Sequence, residues 1–172
     1  PRKFKIAVIA SETDRAAMKL HDIGIQMVRN AAGEIGARFF VGGGMGRTPM
    51  IGKVVRDFLP KGDLLAYLEA ILRVYNLEGR RDNKYKARIK ILVHEMGQDE
   101  LSRRVEAEWQ GLKDTDLKIP DADIKAIYDY FAPPALPERA EGHGSLAKSR
   151  KENGEFAAWV AQNTVPNKHP DY

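Results

Sequence analysis

Between Arg80 and Lys90, six of eleven residues are cationic and one, Asp82, is acidic. A block of like charge on a free surface is a solvated, self-repelling stretch. Held between packed elements, the same block is a fixed positive field suited to anions. Two smaller groups carry related chemistry. Lys3 and Lys5 flank Phe4, and a spacing of two puts both ammonium groups on one face of a strand. That face serves equally well as a solvated one. Gly42-Gly43-Gly44-Met45-Gly46 removes side chains at four of five positions, as happens where something must approach the backbone closely. A flexible loop, or a bulge that turns a strand, would use the same residues. No Gly-Lys-Ser/Thr follows, so the run is not a P-loop, and it lacks the βαβ context of a dinucleotide fingerprint. Read together, the three groups predict one wall of a site for a polycarboxylate cofactor and a small oxyanion.

The elements that must position these groups belong to a chain of 172 residues, 43% apolar and 30% charged. That length suits one domain with a real core, and that composition excludes global disorder. The net charge of +4 is unevenly spread, with base in excess in the N-terminal half and the 80–90 block, and acid mainly after position 95. With no cysteine present, the chain itself supplies no disulfide, thiolate zinc site or iron–sulfur ligand. The four histidines, His21, His94, His143 and His169, show no helical metal-ligand spacing. There is no run of membrane-spanning length and no signal-peptide pattern, so no membrane partner and a cytoplasmic location are expected. Pro1 in the first position predicts a segment of a longer chain.

Taken in order, Phe4 to Ala10 reads as a strand, and Asp14 to His21 as a short helix behind a Ser11–Asp14 turn. Ile23–Arg29 and Ala37–Val41 read as strands of a hairpin. Ile51 to Leu59 is amphipathic up to Pro60. Asp63 is a natural N-cap for a helix from Leu64 to about Asn76. Its apolar stripe is Leu64, Leu68, Ile71 and Tyr75, widened by Leu65, Leu72 and Val74, and Gly79 ends it. A helical period continues from Ile89 to Met96. A further helix starts at Gln98, with Leu101, Val105, Ala107, Trp109 and Leu112 inward, and another at Pro120. The segment from Pro133 to Ser145 reads as irregular, a lid or a docking surface. Phe156, Trp159 and Val160 suggest a last short helix. The expected fold class is α/β (α+β), a small mixed sheet flanked by helices.

Three pieces in this order and spacing, Pro1-Arg2-Lys3-Phe4-Lys5, Val41 to Gly46, and Arg81 to Lys90, resemble the siroheme-dependent nitrite and sulfite reductases. Asp57-Phe58-Leu59-Pro60 and the Leu64–Tyr75 segment are similar as well, most of all to the hemoprotein (beta) component of sulfite reductase. The similarity is good over residues 1 to 110 and weak beyond. It implies the fold of the family's 4Fe-4S-type domain in the copy that carries no cluster. Residues 1–165 would form a siroheme- and anion-binding domain, and 166–172 a linker toward a later half bearing the cluster cysteines.

By the same resemblance, Lys3 and Lys5 match paired lysines that hold the substrate oxyanion over siroheme. Arg2 matches an arginine on cofactor carboxylates. Gly42, Gly43 and Gly44 match a backbone segment lying against the macrocycle. Lys84, Lys86 and Arg88 fall in a basic segment that pairs with siroheme carboxylates. The implied reaction is six-electron reduction of sulfite to sulfide, or of nitrite to ammonia. Its implied cofactors are siroheme and a 4Fe-4S cluster, and its partners the rest of the same polypeptide and a ferredoxin or flavoprotein electron donor. The fragment alone would be inactive.

The physical chemistry is consistent with this. Siroheme carries more carboxylates than ordinary haem, and each calls for a charge-assisted hydrogen bond. Lysines near the iron would stabilise the leaving oxygen and relay protons, given a pKa lowered by desolvation and neighbouring cations. Two other readings use the same residues: a basic nucleic-acid-binding module, suited by the pI near 9.3 and Tyr85 in the block, and a structural domain with solvated basic residues. No recognition motif supports the first, and no nucleic-acid partner is expected.

Overall fold

The computed structural model describes residues 3–135 and 144–165, and its contacts group the chain into two compact units, Pro1–Phe131 and Ala132–Tyr172. The first unit holds a mixed four-stranded sheet in the order β1-β2-β3-β4. Its strands are β1 (Ile6–Ile9), β2 (Ile23–Arg29), β3 (Ile35–Val41) and β4 (Lys53–Pro60). β1 runs parallel to β2 with Ile6 beside Ile23, and the remaining pairs are antiparallel. This is the α/β class expected, a small mixed sheet with helices. The amphipathic 51–59 stretch resolves as β4, whose pairing with β3 shifts register around Phe39.

Three helices, α1 (Leu64–Glu78), α2 (Ile89–Met96) and α3 (Gln98–Leu112), join one face of the sheet in a single core. Ile23, Ile25, Ala37, Phe39, Val41, Val55 and Leu59 meet Tyr67, Ile71, Ile89, Leu101, Val105 and Trp109 there. The stripe expected on α1 faces the core, with Ile71, Val74 and Tyr75 buried and Leu64, Leu68 and Leu72 packed against it half-buried, and the fully buried face extends beyond it. That face is Ala66, Tyr67, Ala70, Ile71, Val74 and Tyr75, while Leu65 is exposed. Small residues let the helix approach the sheet, and the fully buried Tyr67 ring fills the space they leave, 4.9 Å from Phe39 and 6.0 Å from Trp109. Of the α3 positions expected to face inward, Ala107 is exposed.

Two local expectations are corrected. Between Asp14 and His21 there is no α-helix but one 3₁₀ turn, Met18–Leu20, entered through Ala17 at φ 49°. The Asp14 carboxylate accepts from the Met18 N–H instead of opening a longer helix. Asp63 precedes α1 without a side-chain cap, because the 3₁₀ turn Lys61–Asp63 leads directly into the helix. Pro120 does stand immediately before a helix, α4 (Asp121–Tyr130), none of whose residues is buried. The second unit has α5 (Gly144–Glu152) and α6 (Gly154–Asn163), the latter capped by Asn153 accepting from the Phe156 N–H. Of the Pro133–Ser145 segment read as irregular, residues 136–143 lie outside the described residues, and Gly144 and Ser145 already belong to α5. Among the described residues no helix is long and apolar enough to cross a membrane.

Candidate anion-binding site

One end of the sheet gathers the start of β1, the 3₁₀ turn before β2, the glycine run after β3, and the entry to α2. Asp22 is the residue that ties them. Its side chain is 3% exposed, and its two carboxylate oxygens accept from the Lys5 backbone N–H (3.0 Å) and the Arg88 guanidinium (3.2 Å). Its own carbonyl accepts from the Gly42 N–H at 3.0 Å. A buried carboxylate needs such partners, and a pair of this kind is a geometric clamp more than a net source of stability.

Around this clamp lies a cavity of about 500 Å³, open to solvent and lined by Lys3, Lys5, Leu20, His21, Gly44, Met45 and Arg88, together with Ala17 and Asp22. Lys3, Lys5, Gly44 and Arg88 therefore share one cavity. Both lysines are exposed and make no ion pair among the described residues. Arg88 spends one nitrogen on Asp22, while its buried Nε has no partner among the described residues. Three cations against one engaged carboxylate leave the cavity positive, and a positive hollow with spare N–H donors is suited to anions.

The remaining residues of the basic block are mostly occupied elsewhere. Arg80 pairs through two nitrogens with Asp82 and reaches Glu95 at 3.4 Å. That pairing holds the Asp82 carboxyl below its ordinary range. Arg81 donates to the Tyr75 and Arg80 carbonyls and lies over the Tyr75 ring. Lys90 is buried and donates to two loop carbonyls. Lys84 sits 5.1 Å over the Tyr85 ring, and Lys86 is exposed in the same turn. Neither lines the cavity. Arg2 lies outside the described residues.

The glycines have an internal reason to be glycine. A Cβ on Gly42 would meet Val93 at 2.7 Å. One on Gly43 would meet the Lys19 and His21 carbonyl oxygens at 2.3 and 2.4 Å, and one on Gly44 the Lys90 stem at 2.7 Å. Gly42 at φ +93° and Gly46 at φ +102° also require backbone conformations that disfavour other residues. What approaches this backbone closely within the chain is the chain's own packing, and only Gly44 of the three faces the cavity. Gly42 lines a separate hollow of about 340 Å³ with Lys90, His94 and Gln98.

Sequence reasoning missed Asp22 and Lys90 as organising residues. A single carboxylate before a strand carries no spacing signal, and Lys90 reads as one more charge in a basic run. Among the described residues no cluster of side chains suits a metal ion.

Comparison with known proteins supplies the family. The model for the nitrite and sulphite reductase 4Fe-4S domain matches residues 1–112. Sulfite reductase [ferredoxin] of Synechococcus elongatus is 35% identical over 114 residues, 62% of this chain and 18% of that protein. The sulfite reductase [NADPH] hemoprotein beta-component of Staphylococcus epidermidis is 28% identical, covering 98% of this chain and 34% of its own length. The assimilatory ferredoxin-dependent nitrite reductase of Haloferax mediterranei is 30% identical over 91% of this chain and 27% of that protein. The solved structure of the Mycobacterium tuberculosis NirA protein superposes with a TM-score of 0.58 at 27% identity, over 64% of this chain and 20% of that one. The chain spans about a third or less of the length of these relatives. With the fold, the positive cavity and these matches in agreement, the chain belongs to the nitrite and sulphite reductase 4Fe-4S domain family.

Proposed function

We propose that this chain is part of a siroheme and iron–sulfur reductase that takes sulfite to sulfide or nitrite to ammonia, and that it forms the cationic wall of that enzyme's site. The observation that carries this is the convergence of Lys3, Lys5, Gly44 and Arg88 on one positive cavity within the matched segment.

The residues present fit a polycarboxylate tetrapyrrole. The orphaned Arg88 Nε–H is a donor without an acceptor among the described residues, and the Asp22 clamp holds the guanidinium at the cavity edge. Bound siroheme would supply the iron through which electrons reach the substrate. Everything else in the reading concerns this chain. Arg88 orients a cofactor carboxylate by a charge-assisted hydrogen bond. Lys3 and Lys5, exposed and without an ion pair among the described residues, hold the substrate oxyanion by N–H donation and carry protons at Nζ. Gly44 and Met45 offer a low wall without a long side chain at the glycine. Lys84 and Lys86 belong to the outer ring of cations toward the cofactor, with Gly42 and Gly43 shaping the loop behind it, and Arg2, outside the described residues, is assigned to cofactor carboxylates by the family resemblance alone.

In this reading residues 1–165 act as one siroheme- and anion-binding domain. The 166–172 linker toward the cluster-bearing part lies outside the described residues. The 4Fe-4S ligands come from elsewhere in the same polypeptide, since this chain has no cysteine. The electron donor is a ferredoxin or a flavoprotein, the two kinds of donor being distinguished in the relatives' names only as ferredoxin and NADPH.

The test uses the full-length reductase. Lys3→Ala and Lys5→Ala should keep the tetrapyrrole absorption and lose roughly a hundredfold in kcat/KM for the oxyanion, the scale seen when one donor to a developing charge is removed. Arg88→Ala should lower the bound tetrapyrrole content. Lysine variants within about twofold of the parent on both anions would remove the proposed role.

A further inference from the structure

We propose that Lys90 is a positioning residue, a latch that sets the glycine loop and through it the wall of the anion cavity. Lys90 is 7% exposed, lies in the first turn of α2, and makes no ion pair among the described residues. Its ammonium donates to the Met45 carbonyl at 3.1 Å and the Thr48 carbonyl at 2.5 Å. A buried ammonium held only by neutral acceptors is expensive, and a methionine of similar shape would pack as well without the charge. Stability alone does not call for a lysine here. What the charge supplies is a fixed grip on two carbonyls.

The loop needs that grip. Its neck is closed by reciprocal backbone hydrogen bonds between Gly44 and Met50, both 2.9 Å, and flanked by Gly42 on Asp22 and Gly52 on Lys19. Beyond the neck, residues 45–49 are exposed and make no backbone–backbone hydrogen bond among the described residues. The two contacts from Lys90 are the side-chain hydrogen bonds that the tip receives there. The stem of Lys90 lies where a Gly44 side chain would be, so its path past the loop depends on the glycine. Two residues earlier, Arg88 points its guanidinium to Asp22 and the cavity. The entry to α2 thus supplies a cation of the cavity, Arg88, and the anchor of the loop that lines it, Lys90.

The inference rests on the proposed anion site only for its functional consequence, so the experiment separates the two. In the full-length reductase, Lys90→Met, Lys90→Arg, Gly44→Ala and Lys5→Ala are compared by amide hydrogen exchange and by steady-state kinetics with sulfite and nitrite. Lys90→Met should speed exchange in 44–50 by roughly ten- to a hundredfold, the scale of a lost charge-assisted hydrogen bond, and leave β2 and β3 near the parent. It should raise KM for the anion by about tenfold, with kcat changed much less. Lys90→Arg should restore part of both. Gly44→Ala, which drives a Cβ into the lysine stem, should loosen the same segment and covers the case in which Lys90→Met does not fold. Unchanged exchange in 44–50, exchange raised evenly over the whole sheet, or a loosened loop with an unaltered KM in an enzyme still sensitive to Lys5→Ala, would each overturn the latch. If Lys5→Ala leaves the anion unaffected while Lys90→Met still loosens the loop, the anion site falls and the anchoring of the loop stands.

Discussion

Tyr67 shows what a single side chain does at the centre of this core. Its ring is fully buried between Phe39 and Trp109, and its hydroxyl donates to Glu106 at 2.8 Å, the same carboxylate that Arg56 holds at 2.6 Å. Burial first, and then the bond to the Glu106 carboxylate, push the phenol well above its ordinary pKa. The folded chain therefore binds this proton more tightly than the unfolded one. The associated stability is present below the ordinary phenol pKa, about 10, and is lost as pH rises beyond it. In an alkaline titration followed near 295 nm, Tyr67 should ionise only as the chain unfolds. An early phenolate signal from Tyr67 in the folded chain, absent from Tyr67→Phe, would contradict this. Tyr67→Phe itself should lower stability by about 1 kcal/mol in a urea melt, the usual net value of one hydrogen bond. None of this was visible in the sequence, where Tyr67 falls beside the leucine stripe and not on it. A helical wheel counts leucines; the sheet selects the face on which Ala66 and Ala70 permit contact.

At the scale of elements, the informative comparison is between glycines that share a composition and differ in surroundings. Gly43 is wedged against two backbone carbonyls of the turn before β2, at 2.3 and 2.4 Å from where a Cβ would stand. Backbone cannot rotate aside as a side-chain tip can. Gly43→Ala should cost roughly 1–3 kcal/mol or more, the range of overpacking, and perturb the entry to β2. Gly111, inside α3, meets nothing within 4 Å. Gly111→Ala should stabilise by about 0.5–1 kcal/mol through the lower entropy of the unfolded chain. Paired urea denaturation curves check both signs, and equal effects at the two sites would mean that the close packing behind the glycine loop is not what holds it. Strand β4 makes a related point. Its register with β3 shifts on both sides of the Phe39–Arg56 pair, and the Arg56 side chain there meets Trp109 and Glu106. A bulge of that kind breaks the period of two that a sequence reading relies on.

For the whole molecule, the edge strand β1 is the informative place. Ile6 and Val8 share the core-side face with Ile23 and Ile25 yet are 41% and 58% exposed, so the helices stop short of the sheet's edge. An uncovered apolar strand edge is prone to pairing. The chain by itself should self-associate at micromolar concentration in sedimentation velocity, less so after Val8→Lys. It should also fail to form a stoichiometric tetrapyrrole complex, because in the proposed reading it supplies only one wall of the site. A monodisperse monomer would remove the first expectation, and a red-brown one-to-one complex the second. The sequence by itself determined a good deal: β2 to the residue, the extent of α2, and a family resemblance carried by three short pieces. These are local quantities, set by period, glycine content and charge density along the chain. Only the tertiary structure decided which cations are free. Arg80, Arg81 and Lys90 are claimed by Asp82, by carbonyls and by a loop, while Lys3, Lys5 and one edge of Arg88 are left open to the cavity. The reason is geometric. A charge is available to a ligand only if no nearer partner takes it, and the nearest partners here, such as Asp22 to Arg88 or Met45 to Lys90, stand 66 and 45 residues away along the chain.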